Sequence, residues 1–304
     1  MTPRYSIAQE VWGVIPPRFE YFAPSSIDEA VQILDRFGGE AKVLAGGQSL
    51  LPVMKLRLAE PRALVDINRI PDLAHIREDA KSLRIGATTR TNDLNDSELI
   101  HARYPILSDA AYEIADPLVR NMGTVGGNVS HGDPANDLPA CMLALGAHFV
   151  VRSPTGTRTI PAKEFYQDTF VTALESNELL LEIEIPKARS GQGNAYVKLE
   201  KRIGDFPIVG VAANLVLTTK GTIESAGLAL TAVGPTALKA TEAERHLVGK
   251  APVEAAFQRA AELAQEITSP VSDLRGPAEY KRAMVRVLAL RALHRASARA
   301  HGGA

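Results

Sequence analysis

Two glycine pairs, each followed by small polar residues, are the part of this sequence best suited to bind a ligand. The first pair lies in LAGGQSLLP (44–52) and the second in GTVGGNVSHGDPAND (123–137). Glycine has no Cβ and tolerates positive φ, so successive backbone N–H groups of such a loop can converge on an anion. The pairs therefore suit phosphate binding, although each could also serve only as a turn at the end of a strand.

The side chains beside the glycine pairs are neutral. Residues 45–52 contain no lysine or arginine, so a phosphate there would be held by backbone amides with help from Ser49 and Gln48. The second group with this role comprises Thr124, Gly126, Gly127 and Asn128. Because Gly46 and Gly126 are 80 residues apart, two separate loops could bracket one pyrophosphate.

Two aspartates after the second pair have two interpretations. Asp133 and Asp137 suit a turn and an N-cap, because Pro139 favours the first turn of a helix. An aspartate in a flavin site could instead accept hydrogen bonds from ribose or ring groups. On spacing alone, capping is favoured.

Motifs of several other sites are missing from the sequence. It contains no G-x-G-x-x-G, no G-x-x-x-x-G-K-[ST] and no G-x-S-x-G, and its seven histidines show no paired metal-ligand spacing. These absences argue against a Rossmann domain, a P-loop NTPase, a serine-based acyl transferase and a metal site.

Apolar periodicity and capping residues predict the elements that position the glycine pairs. Ser26 with Glu29 predicts a helix that ends at Gly38, and another helix is predicted over 105–114. A third helix should run from Pro139 to Gly146, so the second glycine pair is predicted to lie in a loop between helices. The strands are predicted at 42–46, 63–67, 83–87, within 148–161 as a hairpin, and at 179–186.

A polar break, KARSGQGN (187–194), predicts a boundary between two domains, 17–190 and 191–304. Beyond it, 208–219 and 222–234 flank Lys220-Gly221 and predict an antiparallel hairpin, followed by helices; this part is therefore α+β. The last helix, from Pro277, is rich in Lys and Arg. We favour a docked helix with a solvated basic face over nucleic-acid binding, on the basis of an apolar stripe at Tyr280, Met284, Val287 and Leu288.

The overall composition is that of a globular protein. The chain has 304 residues, 45% of them hydrophobic, and a formal net charge of −1, which gives no electrostatic reason to expect nucleic acid or a membrane surface. Its one cysteine, Cys141, cannot hold an iron–sulfur cluster or structural zinc alone. The N-terminal residues lack the apolar core of a signal peptide, so we expect a cytoplasmic protein without a membrane span.

Long stretches resemble one flavoprotein family. The stretches 45–67 and 114–140 are similar to the two FAD-binding signatures of the medium subunit of molybdenum hydroxylases, the xanthine dehydrogenase family. The similarity continues through TTR (88–90), 178–186 and 196–215, and the tail 267–293 is most similar to medium subunits of aerobic carbon monoxide dehydrogenases. It covers almost the whole chain from about Phe19 onward.

The resemblance implies an α+β protein with a vanillyl-alcohol-oxidase or PCMH-type FAD-binding domain of two α/β subdomains. The C-terminal domain would be a three-stranded antiparallel sheet packed on helices. It further implies that both glycine pairs embrace the FAD pyrophosphate. The residues implied to bind the cofactor are Ala45, Gly46, Gly47, Gln48, Ser49, Thr124, Val125, Gly126, Gly127, Asn128, Asp137, Leu180, Lys198 and Phe206.

Two positions depart from the relatives that this sequence resembles. Gln48 stands where many have His and cannot form a histidyl–flavin bond, so we expect non-covalent FAD. Phe206 stands where the carbon monoxide enzymes tend to have Tyr; it can still stack on the flavin ring but lacks the hydroxyl.

The function implied by the resemblance is that of an FAD-carrying electron-transfer subunit without a substrate-oxidising residue of its own. Electrons would come from molybdopterin on a large subunit through [2Fe–2S] clusters on a small subunit. They would leave to a quinone, NAD or O₂, and the assembly would be a dimer of heterotrimers. Two alternatives remain: a free-standing FAD-dependent oxidase of a small organic substrate, and a non-enzymatic module whose glycine pairs are only turns.

Overall fold

The computed structural model describes residues 15–302, so most of the N-terminal stretch considered for a signal peptide lies outside the described residues. The strands are β1 (Glu20–Phe22), β2 (Ala41–Leu44), β3 (Ala63–Asp66), β4 (Ile76–Glu78), β5 (Ser82–Gly86), β6 (His148–Ser153), β7 (Gly156–Pro161), β8 (Tyr166–Asp168), β9 (Val171–Thr172), β10 (Leu179–Pro186), β11 (Gln192–Leu199), β12 (Val209–Leu217), β13 (Ile223–Thr231) and β14 (Leu238–Lys239).

The helices alternate with these strands in the N-terminal half and follow them in the C-terminal half. They are α1 (Ile27–Phe37), α2 (Leu50–Lys55), α3 (Thr91–Asp96), α4 (Glu98–Arg103), α5 (Pro105–Glu113), α6 (Pro117–Met122), α7 (Val125–Ser130), α8 (Leu138–Leu145), α9 (Ala162–Phe165), α10 (Thr241–Leu247), α11 (Glu254–Glu266) and α12 (Ala278–Ala300). Among the described residues no helix has both the length and the apolar character needed to cross a bilayer.

Two larger sheets and a short antiparallel pair, β8-β9, build the described N-terminal half. The first is parallel, in the order β1-β3-β2, and is covered by α1, whose Ala30, Val31 and Leu34 are buried against it. The second is antiparallel, in the order β4-β5-β10-β6-β7. The two α/β subdomains that the resemblance implies thus have a sheet each.

Most predicted elements of this half are confirmed with small differences in their bounds. Ser26 caps α1 by accepting a hydrogen bond from the Glu29 N–H (3.2 Å). Gly146 ends α8 in the left-handed conformation, with φ of 65°. The prediction that the second glycine pair lies in a loop is wrong, because residues 125–130 form the short helix α7, which is capped by Thr124. Two glycines lower helix propensity, so only tertiary contacts, described below, explain this helix.

The C-terminal sheet has four antiparallel strands, in the order β11-β12-β13-β14, and the expectation of three strands is corrected. The predicted hairpin is confirmed as β12 and β13. The extra strand β14 has only two residues, which pair with Ala229 and Leu230. A strand this short gives no periodic signal in the sequence.

Both faces of this sheet are covered. Along β12, Val209, Val211 and Ala213 point to the core formed with α10, α11 and α12, whereas Ala212 points to the core that contains α8. A Cβ at Gly227 would lie only 2.8 Å from the backbone carbon of Ala144 in α8, so helix and strand are in direct backbone contact. The hydrophobic core is therefore continuous across the division predicted at residues 190 and 191, and that division stays a prediction.

The last helix is docked, but mostly through residues other than those predicted. The buried side is formed by Val285, Leu288, Ala289, Ala292, Leu293 and Ala296. Of the predicted stripe only Leu288 is buried, while Tyr280 is exposed. The basic residues are not uniformly solvated either, because Lys281 is buried against Asp273 (2.7 Å) and Arg299 pairs with Asp109 (2.6 Å).

Candidate cofactor site

The first glycine pair lies in the turn between β2 and α2. Gly47 has φ of +72°, a conformation that other residues rarely adopt. Gly46 is packed against the second glycine stretch: a Cβ there would overlap the Met122 carbonyl oxygen and lie 2.8 Å from Gly123 Cα. The structure thus brings the two stretches into contact although they are distant in sequence.

The amides of the first turn are free within the described part of the chain. Among residues 15–302 there is no acceptor for the backbone N–H groups of Gly46, Gly47, Gln48 and Ser49. The Gln48 side chain donates to the Gly46 carbonyl (3.3 Å), which folds it over the turn. Ser49 precedes α2 and makes no side-chain capping bond. Consecutive free amides next to a glycine at positive φ are what an anion-binding turn requires.

The second glycine pair differs, because its amides already have acceptors. The N–H groups of Val125 and Gly126 donate to the carbonyls of Thr89 and Ala87 (both 2.9 Å), and that of Gly127 donates to Thr124 Oγ1 (3.1 Å). The expectation that these amides converge on a phosphate is therefore not met. A Cβ at Gly126 would lie 2.7 Å from the Ala87 Cβ, so this glycine is required for packing.

Asn128 provides the polar atom in the second stretch that still lacks a partner. Its Oδ1 is buried and has no hydrogen bond within the described residues, while its own carbonyl accepts from the Asn136 amide (2.8 Å). A buried amide oxygen without a partner is costly unless a ligand or water satisfies it. Asn128 is thus the residue of this stretch whose side chain is best placed to meet a ligand.

The prediction for the two aspartates is right for one and wrong for the other. Asp133 accepts from the Ala135 N–H (2.8 Å) and forms the expected turn. Asp137 makes no capping bond to α8 and is instead buried at 5% exposure. Its carboxylate accepts from the Tyr196 hydroxyl (2.5 Å) and lies 3.5 Å from Lys198 Nζ.

This buried group of Asp137, Tyr196 and Lys198 joins the two halves of the chain. Burial raises the pKa of Asp137 to about 6, although the nearby Lys198 ammonium and the Tyr196 hydroxyl act in the opposite direction. Burial, with the Asp137 charge, also raises the pKa of Tyr196 well above its usual value. Lys198 is further fixed by the Glu113 carbonyl (2.7 Å) and Glu200 (3.3 Å).

Leu180 and Phe206 lie in different surroundings. Leu180 belongs to β10 and is buried in the same core as Val125 of α7. Phe206 lies in the connection between β11 and β12 and is 44% exposed, with the Arg275 guanidinium over its ring at 5.4 Å. Gly204 of the same connection is packed against the Ala115 carbonyl, just before α6. The connection that carries Phe206 therefore lies beside the helix that leads into the second glycine stretch.

Arg90 and Asn68 link the two glycine stretches, and neither is among the cofactor-binding residues predicted from the sequence. Arg90 Nη1 donates to the Met122 carbonyl (2.6 Å) and Nη2 to Asn68 Oδ1 (3.0 Å). Asn68 Nδ2 in turn donates to the Ala45 carbonyl (2.8 Å). The only sequence signal was that Arg90 closes TTR, one of the stretches similar to the flavoprotein family.

A cavity of about 1140 Å³ lies elsewhere, between α4, α5, β11 and the end of α12. Its charged lining side chains, such as Arg103 and Arg299, are already paired with Glu78 and Asp109. Within the described residues no group of three or more His, Cys, Asp and Glu side chains could hold a metal ion. The glycine stretches therefore form the better candidate for a cofactor site.

Comparison with known proteins agrees with this geometry. A model of the FAD binding domain in molybdopterin dehydrogenase matches residues 17–188. A model of the CO dehydrogenase flavoprotein C-terminal domain matches residues 194–296.

Individual relatives match over nearly their full length. The carbon monoxide dehydrogenase medium chain of Hydrogenophaga pseudoflava is 50% identical and covers 94% of this chain and 99% of its own. The 6-hydroxypseudooxynicotine dehydrogenase complex subunit alpha of Paenarthrobacter nicotinovorans is 38% identical, and the match covers 94% of this chain and 96% of that subunit. A solved structure of carbon monoxide dehydrogenase from Hydrogenophaga pseudoflava matches with a TM-score of 0.91 at 51% identity, over 94% of this chain and 99% of the solved chain.

Proposed function

This chain belongs to the family of FAD-binding medium subunits of molybdenum-dependent dehydrogenases, and from that membership we propose that it carries FAD and transfers electrons within a carbon monoxide dehydrogenase. The relative with 50% identity has the name of that enzyme. A relative with 38% identity is a subunit of a 6-hydroxypseudooxynicotine dehydrogenase complex, so the experiment below compares carbon monoxide with organic substrates.

The observation that carries the proposal is the contact between the two glycine stretches. Gly46 abuts Met122 and Gly123, and the free amides of residues 46–49 lie at that contact. We propose that these amides bind the FAD pyrophosphate with Ala45, Thr124 and Asn128 beside them. The turn fits such a group because its free amides are donors. The unpaired Asn128 Oδ1 is an acceptor and would instead take a hydrogen bond from a hydroxyl or N–H group of the cofactor.

The chain's own residues would bind and orient the cofactor. FAD, when bound, supplies the acceptance and release of electrons. The carboxylate of Asp137, fixed by Tyr196 and Lys198, would accept hydrogen bonds from it, and Phe206 would stack on its ring. Gln48 offers no imidazole for a covalent link, so FAD would be bound non-covalently.

The other cofactors would belong to partner subunits. Cys141 is the only cysteine of the sequence and is buried, so [2Fe–2S] clusters require other chains. Family membership places molybdopterin on another subunit as well. We propose a large molybdopterin subunit and a small [2Fe–2S] subunit in a cytoplasmic dimer of heterotrimers. The acceptor would be a quinone, NAD or O₂.

The experiment has two parts. FAD is titrated into the flavin-free full-length chain, with Gly46→Val as a variant that must lose the visible flavin band. The complex purified with its native partners is then mixed anaerobically with carbon monoxide. We expect bleaching of the flavin band by carbon monoxide and none by N-heterocyclic or aldehyde substrates. If the native protein is instead a monomer that oxidises a small organic substrate without partners, the free-standing oxidase is the correct reading.

A further inference from the structure

Arg90 places a positive charge between the two glycine stretches. Its guanidinium donates to the Met122 carbonyl (2.6 Å) on one side and to Asn68 Oδ1 (3.0 Å) on the other. The Nδ2 of Asn68 in turn donates to the Ala45 carbonyl (2.8 Å). The residues flanking the glycine pairs within 45–52 and 123–130 include no lysine or arginine. Arg90 thus brings to this contact a charge that the local sequence lacks.

No carboxylate within residues 15–302 pairs directly with this guanidinium. The guanidinium of Arg90 forms no salt bridge there, and the nearby Asp93 carboxylate accepts the backbone N–H of Arg90 (2.9 Å) rather than its side chain. Two other arginines of this half have carboxylate partners instead: Arg84 is paired with Glu182 (2.5 Å) and Arg158 with Glu178 (2.6 Å). An arginine held only by neutral acceptors keeps its charge for another anion.

The guanidinium is also held in one orientation. Asn68 is fixed by Asp66, whose Oδ1 accepts from Asn68 Nδ2 (2.7 Å) and whose Oδ2 accepts from the Tyr21 hydroxyl (2.5 Å). Two of the Arg90 N–H groups are used by these neighbours, and the remaining ones can still donate. Such preorganisation reduces the entropy lost when a ligand binds.

We propose that Arg90 binds the pyrophosphate of FAD directly, with Asn68 as a residue that positions it. This inference rests on the proposed function. The free amides of residues 46–49 supply directional donors, and Arg90 supplies the charge that balances the two phosphates. The prediction from sequence, that the phosphate is held by backbone amides with Ser49 and Gln48, is extended by one cation that only the tertiary structure brings near.

The test uses the full-length chain, expressed with its partner subunits and freed of flavin, and it uses ADP and FAD as probes. ADP carries the pyrophosphate without the flavin ring. Arg90→Met should lower the affinities for ADP and for FAD by the same factor, about ten- to a hundredfold, as expected for the loss of a charge-assisted hydrogen bond. Arg90→Lys should restore part of the loss. Arg62→Met is the matched control, because Arg62 pairs with Glu40 on the surface (2.8 Å).

The dependence on salt separates a charge from a structural support. ADP binding by the wild type should weaken as salt is added, and Arg90→Met should show a smaller dependence because one screened attraction is gone. The inference would be overturned if Arg90→Met bound ADP as tightly as the wild type, or if it lost affinity but kept the full wild-type salt dependence. In either case the proposal that the chain binds FAD would still stand. A wild type that binds neither ligand would overturn the proposed function itself.

Discussion

Gly46, Gly126 and Asn128 show how single residues define the site. A side chain at Gly46 would separate the two glycine stretches, and one at Gly126 would push α7 away from Ala87. The glycines are therefore needed for contacts within the protein, and close approach of a ligand is not their only explanation. Asn128 is different, because its buried unpaired oxygen has no role inside the described chain.

We expect Gly46→Ala to weaken FAD binding and to lower the free energy of unfolding by about 1–3 kcal/mol, because the added Cβ overlaps the Met122 carbonyl. FAD titration and denaturant unfolding measure the two effects. Gly39→Ala is the control, since a Cβ at Gly39 has no neighbour within 4 Å. Equal FAD affinity in both variants would contradict the close contact.

Asp137 should make stability depend on pH. Burial raises its pKa from 3.8 to about 6, so between these values the folded state holds a proton that the unfolded state has lost. The free energy of unfolding should therefore fall as pH rises from about 4 to about 6, by up to roughly 3 kcal/mol from this group. Asp137→Asn should remove this contribution in flavin-free protein.

Denaturant unfolding at several pH values tests this dependence. Asp133→Asn, which alters a carboxylate in a nearby turn, serves as the control. In Asp137→Asn, Lys198 keeps Glu200 as a partner, which limits the penalty of a buried unpaired charge. The same slope in Asp137→Asn and in the wild type would show that Asp137 is ionised when folded.

Helices and strands are joined by long-range contacts that could not be predicted from the sequence. The helix α12 was expected to present a basic face to solvent, yet Arg295 and Arg299 near its end both reach Asp109 in α5 (3.0 and 2.6 Å). Asp109 also accepts the Tyr196 N–H (3.1 Å) in β11. One carboxylate thus ties together a helix of the N-terminal half, the last helix and the first strand of the C-terminal sheet.

Asp109→Asn should lower the free energy of unfolding by about 3 kcal/mol, because it leaves two arginines without their common partner and one of them, Arg299, is mostly buried. Thermal and denaturant unfolding provide the measurement. Glu242→Gln removes an exposed pair with Arg245 inside α10 and should change stability little. A comparably small effect of Asp109→Asn would mean that packing alone joins these elements.

In the molecule as a whole, one hydrophobic core contains residues of both halves, and the sequence has a single cysteine. Helix α8 packs on the C-terminal sheet through Ala144 and Gly227, so the two halves form one packed body around the Asp137–Lys198 contact. Nothing in the sequence offers thiolate ligands beyond Cys141. The proposed electron transfer therefore depends on subunits that bring their own metal centres.

Metal analysis of the assembled complex tests this division of cofactors. We expect the separated chain to retain FAD without iron or molybdenum, and the complex to contain all three. Cys141→Ala should leave the ratio of iron to flavin unchanged, because the Cys141 thiol is buried and burial raises its pKa. A loss of iron in this variant would place a cluster ligand on this chain.

The sequence by itself determined the elements with clear periodicity, the unusual glycine pairs and the family signatures that contain them. It could predict α1 from Ser26 and Glu29, and the β12–β13 hairpin from alternating residues and Lys220-Gly221, because those signals are local. It placed the first glycine pair at the end of a strand, although the strand predicted over 42–46 ends at Leu44.

Only the tertiary structure decided which groups are free to bind. The amides of Val125 and Gly126 are used by Thr89 and Ala87, and Asp137 is buried beside Lys198. Arg90 lies between the glycine stretches 44–52 and 123–137. Each of these partners comes from a distant part of the chain. Whether a donor, a carboxylate or a charge remains available depends on such long-range partners, and spacing along the sequence does not contain that information.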